Sequence, residues 1–136
     1  MTIDTVTHIN LRGNARAALE FYRSVFGGDL ALITYADAHS VEHPAEADQI
    51  MWGQVTSPEG FHIMAYDVPA SRPWNQGTGS YFVSIRGKDA EEITTYWQAL
   101  TPDSTVIVPL APAAWALLYG MLTDPFGVTW VLDVAA

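Results

Sequence analysis

LYGMLTDPFGVTWVL, residues 118–132, decides the fold, because MWGQVTSPEGFHIMA at 51–65 repeats its pattern at a constant offset. Gly53 falls on Gly120, Thr56 on Thr123, Pro58 on Pro125 and Gly60 on Gly127, while Trp52 falls on Tyr119, Val55 on Leu122 and Ser57 on Asp124. Each copy has the chemistry of a β-hairpin. Ser57 or Asp124 accepts a hydrogen bond at the first turn position, Pro58 or Pro125 presets φ at the next, and Gly60 or Gly127 supplies the left-handed residue of a three-residue loop. That loop length sets Ser57 opposite Phe61 and Asp124 opposite Val128, so residues of like parity share a sheet face. One face carries Trp52, Gln54, Thr56, His62, Met64 and Tyr66, matched in the second copy by Tyr119, Met121, Thr123, Thr129 and Val131. The other carries Val55, Ile63, Ala65, Leu122, Trp130 and Leu132 and is the plainer core.

A second repeat precedes each hairpin at nearly the same offset: NLRGNARAALEFY (Asn10–Tyr22) resembles SIRGKDAEEITTY (Ser84–Tyr96). Val6–Leu11 alternates as a strand, with His8 and Asn10 on the face opposite Ile9 and Leu11. Asn14 is the expected N-cap of a helix with the stripe Ala18, Phe21, Tyr22 and Val25, which Gly27 and Gly28 end. Leu30–Tyr35 reads as a strand and Asp37–Asp48 as an acidic loop. The second half repeats the order, with a strand over Tyr81–Ile85 and a helix that Asp89 and Glu92 open as a capping box. Ile93, Tyr96, Trp97 and Leu100 form that helix's apolar stripe. Strands then follow at Thr105–Val108, Trp115–Thr123 and Val128–Val134. The pattern predicts one α+β domain over 1–136: module one at 1–68, a linker at 69–78 holding Trp74, and module two at 79–136. Two βαβββ modules of this kind are expected to curve into a mixed sheet around a cleft lined by the aromatic and polar face.

Fifteen acidic against six scattered basic residues give a formal charge of −9, which disfavours nucleic acid and anionic membrane surfaces as partners. No cysteine is present, so disulfides, thiolate metal sites and cysteine nucleophiles are excluded. The start, MTIDTVTHIN, lacks the basic and apolar runs of a signal peptide, and a cytoplasmic location is expected. Ser104–Thr123 is uncharged and mostly apolar, but Pro109 and Pro112 would break a spanning helix, and they are expected to sit between two strands.

Paired βαβββ modules resemble the vicinal oxygen chelate superfamily, which includes glyoxalase I, ring-cleaving dioxygenases and bleomycin-binding resistance proteins. RGNARAALEFYRSVFGGDL near the start and APAAWALLYGMLTDPFGVTWVLDV at the end are similar to its PhnB-like branch. The resemblance implies a glyoxalase-like fold and a homodimer, which the apolar Val106–Leu122 stretch also favours. Metal-using members hold a divalent ion through one side chain from the first and one from the last strand of each module. Carried over, these positions fall on His8, Met64, Phe82 (Ser80 or Tyr81 in a slipped register) and Val131. Only His8 suits a hard or borderline ion, so neither a metal nor any other cofactor is expected. PhnB-like proteins sometimes bear a demethylubiquinone methyltransferase label, but no glycine-rich strand-to-helix loop of the sort adenosylmethionine sites use is present.

The expected function is therefore metal-free binding of an apolar or aromatic small molecule rather than catalysis. Its site is Trp52, Gln54, His62, Met64, Tyr66, Phe82, Trp115, Tyr119 and Met121, with His8 and Asn10 as polar anchors. The aromatic rings read equally as ligand contacts or as a pocket filled by its own side chains or a dimer contact. His8 reads as a polar hook, a general acid or base, or a hydrogen-bonded interior histidine. The competing function is a metal-dependent lyase, isomerase or dioxygenase using His8; a third is an interaction module without catalysis. His39 and His43 could share a metal only on a helix, which Pro44 opposes.

Overall fold

The computed structural model describes residues 2–136. They form β1 (Thr7–Leu11), α1 (Ala15–Phe26), β2 (Asp29–Thr34), a 3-10 turn (Pro44–Glu46), β3 (Ile50–Thr56) and β4 (His62–Asp67). Then come β5 (Val83–Gly87), α2 (Ala90–Leu100), β6 (Thr105–Ala113), β7 (Ala116–Thr123) and β8 (Thr129–Ala135). The chain divides into two compact units, residues 1–76 and 77–136, each β-α-β-β-β in order. The first unit holds a four-stranded sheet of order β1-β4-β3-β2, the second one of order β5-β8-β7-β6. In both, the first and last strands pair parallel across the helical crossover and the other pairs are antiparallel.

Both hairpins close as their sequences require. Ser57 N donates to Phe61 O at 2.9 Å and Asp124 N to Val128 O at 2.8 Å, with Gly60 at φ 103° and Gly127 at φ 85°. The repeated Gly53 and Gly120 have a different purpose. A Cβ on Gly53 would lie 2.5 Å from Leu19 Cδ1 of α1, and one on Gly120 would lie 2.9 Å from Trp97 Cζ3 of α2. These glycines are the floor on which each helix presses, and that contact fixes which sheet face is covered. Ile9, Leu11, Leu19, Tyr22, Val55 and Ile63 are fully buried in the first unit, and Ile93, Leu100, Leu122, Trp130 and Leu132 in the second.

Several expectations need correction. Asn14 occupies the N-cap position of α1 without making a side-chain cap bond; Asp67, from the end of β4, accepts from Gly13 N at 2.7 Å and Ala15 N at 3.0 Å instead. A carboxylate satisfies two orphan N–H groups and meets the positive end of the helix, which an amide does less well. Asp89 does cap α2, accepting from Glu91 N, but Glu92 accepts a hydrogen bond from Tyr96 Oη rather than closing a capping box. The strand expected at Tyr81–Ile85 starts at Val83. Pro109 and Pro112 lie inside β6, not between strands. An edge strand tolerates them because one side needs no ladder bond, and three register shifts against β7 absorb the misfit. Among the described residues, no helix is long and apolar enough to cross a membrane.

Candidate functional site

The face of the first sheet turned away from α1 is set by alternation. Since Gly53, Val55, Ile63 and Ala65 face the helix or core, Trp52, Gln54, His62, Met64 and Tyr66 point the other way, joined by His8 and Asn10 from β1. The register places His8 beside Met64 and Met64 beside Gln54, with Asn10 beside Tyr66 and His62 beside Thr56. His8 and Asn10 are exposed and the other five are half-buried. From His62 to Tyr66 the face extends roughly 13 Å along β4.

The histidines and amides on this face are paired with one another. His8 Nδ1 lies 3.1 Å from Asn10 Oδ1 and His62 Nε2 lies 2.9 Å from Gln54 Oε1. An amide oxygen only accepts, so each histidine donates through that nitrogen. The His8 ring meets Tyr66 edge-on at 5.5 Å between centroids. A hollow of about 290 Å³ opens at the hairpin end beside Thr56, Phe61 and His62. A second, of about 360 Å³, opens at the opposite end beside Tyr66.

In the second unit Tyr119 and Met121 are half-buried on the face of β7 opposite Gly120 and Leu122. Trp115 lies in the turn before β7 instead of within the strand, is 66% exposed, and meets Tyr119 edge-on at 5.4 Å. Phe82 precedes β5 and is also exposed. The expected site residues thus form two groups, each within its own unit: His8, Asn10, Trp52, Gln54, His62, Met64 and Tyr66 in one, Phe82, Trp115, Tyr119 and Met121 in the other. His39 lies in a loop at φ 54° and His43 before the 3-10 turn, so the two are not on a helix.

A family model of the glyoxalase/bleomycin resistance protein/dioxygenase superfamily matches residues 5–132. The chain belongs to that superfamily. Protein PA1353 from Pseudomonas aeruginosa has a similar structure, with 29% identity and a TM-score of 0.84 over 98% of each chain. A PhnB protein from Bacillus cereus has 22% identity and a TM-score of 0.77 over 98% of this chain and 100% of its own. A superfamily domain from Frankia sp. EAN1pec shares the fold at 8% identity, with a TM-score of 0.66 over 100% and 99%. No curated protein matches.

The superfamily's metal positions can be tested on the observed registers. Ile9 pairs with Ala65 and Ile85 with Leu132, so the counterpart of His8 in β5 is Ser84, not Phe82. The helical repeat misplaced it because the stretch between the first strand and the helix is not the same length in the two units. In the first unit His8 stands beside Met64, and in the second Ser84 stands beside Val131. An imidazole, a thioether, a hydroxyl and an isopropyl group do not make a donor set for a divalent ion of the kind superfamily enzymes use. Among the described residues no group of three His, Cys, Asp or Glu is placed to hold a metal.

Sequence reading missed the residues that shape the site's far end. Tyr35 is buried and donates to the Asp67 carbonyl. Burial, then the neighbouring Tyr66, holds its phenol above the usual tyrosine range, against an opposing pull from Arg72. Glu46 is buried in the acidic loop and accepts from Ala70 N at 2.8 Å. Arg12 donates to the carbonyls of Val68, Pro69 and Arg72 and lies 5.6 Å over the ring of Trp74, whose Nε1 donates to Asn10 O. Trp74 is therefore docked on β1. Only Asp67 left a signal in the sequence: it continues the buried parity of Ile63 and Ala65, which places a carboxylate on the core face.

Proposed function

We propose that this superfamily member binds a planar, largely apolar compound on the helix-free face of the first sheet, without a metal ion. One observation carries the reading. Trp52 and Tyr66 leave part of their rings accessible on a face where the histidines and amides are already mutually hydrogen-bonded. Flat rings beside satisfied polar groups favour stacking and area burial over proton transfer, and the polar pairs then orient a ligand at little desolvation cost. A thioether at Met64 adds an adaptable apolar contact.

The five indole N–H resonances give a direct test with 1-naphthol as a neutral planar probe. It is expected to shift the Trp52 resonance and leave those of the buried Trp97 and Trp130 in place. Trp52→Ala is expected to weaken the interaction roughly tenfold, the loss of one stacked ring. Shifts confined to Trp115, or equal affinity in Trp52→Ala, would place binding elsewhere.

A further inference from the structure

At the Tyr66 end of the same face lies the cavity of about 360 Å³, bordered by Tyr35, Ser40, Glu42, Met51, Tyr66 and Arg72. Its wall is the segment Val68–Arg72, and that segment is fixed from several sides. Arg12 holds the carbonyls of Val68, Pro69 and Arg72. Glu46 holds the amide of Ala70, Ser71 Oγ donates to Glu42 Oε2, and Arg72 N closes the turn onto Pro69 O at 2.9 Å. A backbone held this firmly does not have to be ordered when a ligand arrives, which lowers the cost of binding.

The two charges on the cavity differ in how they are used. Glu42 is engaged by Ser71. The Arg72 backbone is tied down at both its N–H and its carbonyl; the residue borders the cavity, and its positive charge acts on the Tyr35 phenol. Met51 and Tyr66 give the remaining surface its apolar and aromatic character. We infer that this cavity is an anion subsite in which Arg72 receives the carboxylate of an aromatic acid whose ring lies against Met51 and Tyr66. A planar guanidinium matches a carboxylate through two parallel N–H donors, and the Tyr66 hydroxyl adds a neutral donor. The inference deepens the proposed function by naming an acidic class of ligand, and it rests on that reading through the shared Tyr66.

Benzoate, benzamide and benzamidinium are the probes, since they share a shape and differ in charge. Titrations followed by the backbone amide resonances of Ser40, Met51, Tyr66 and Arg72 are expected to rank benzoate at least fivefold above benzamide, with benzamidinium weakest. Arg72→Gln is expected to erase the benzoate preference at unchanged melting temperature, and Glu42→Gln to strengthen benzoate by removing a like charge. Equal affinity for benzoate and benzamide, a preference for benzamidinium, or a benzoate preference that survives Arg72→Gln would each overturn the assignment. The two readings fail separately: a Trp52 response to 1-naphthol without any benzoate preference sinks this one alone. A benzoate response at Arg72 in a protein whose Trp52 ignores 1-naphthol sinks the other.

Discussion

Asp67→Ala is expected to lower the unfolding free energy by about 3–5 kcal/mol, as much as truncating a large core side chain. The carboxylate is 1% exposed and accepts from three backbone amides: Gly13 and Ala15 at the start of α1, and Ile50 at the start of β3 at 2.8 Å. Removing it leaves three donors without their partner where water does not reach, and deletes the charge that meets the helix N-terminus. One residue thereby joins the helix, the last strand and the central strand of the first unit. Asp67→Asn keeps an acceptor for one side but turns an NH₂ group toward an N–H on the other, so roughly 2–3 kcal/mol is expected there. Urea denaturation of the two variants checks the order, and a loss under about 1 kcal/mol for Asp67→Ala would show that water replaces the carboxylate.

Asp124→Ala costs about 3 kcal/mol, whereas Ser57→Ala, the same position of the repeated hairpin, costs about 1 kcal/mol. The difference follows from the partners. Among the described residues, Ser57 Oγ accepts from one backbone amide, Phe61 N at 3.1 Å. Asp124 Oδ1 accepts from Phe126 N and Val128 N, and Oδ2 accepts from Trp130 Nε1 at 2.9 Å. The first hairpin has Ile63 where the second has Trp130, so no indole N–H stands at that position to be satisfied. Asp124→Ser is therefore expected to cost about 2 kcal/mol in the native chain and markedly less beside Trp130→Phe. A double-mutant cycle with no coupling would mean the carboxylate serves the turn alone.

The contrast shows what the sequence could and could not convey. Hairpin loops, helix stripes and the duplication itself were legible because they depend on local φ preferences and on residue period, which one chain displays directly. The parity of β3 and β4 also assigned the first unit's mixed face correctly. What escaped were contacts between residues far apart in sequence: Asp67 with Gly13, Arg12 with Arg72, and Glu46 with Ala70. Polar residues of this sort look like solvated loop until the fold buries them. The Phe82 assignment failed for a related reason. Strand register comes from ladder pairing with β8, and the offset of the preceding helical repeat does not transmit it.

Whether binding on the helix-free face proceeds without a cation is settled most directly by isothermal titration of 1-naphthol. One sample is stripped of metal with a chelator and the other is supplied with excess Mn²⁺, Ni²⁺ or Zn²⁺. His8 beside Met64 in one unit and Ser84 beside Val131 in the other predict the same dissociation constant in every sample, within a factor of two. Binding that appears only after an ion is added, or that tightens tenfold with one, would contradict that prediction and return the site to the superfamily's metal chemistry.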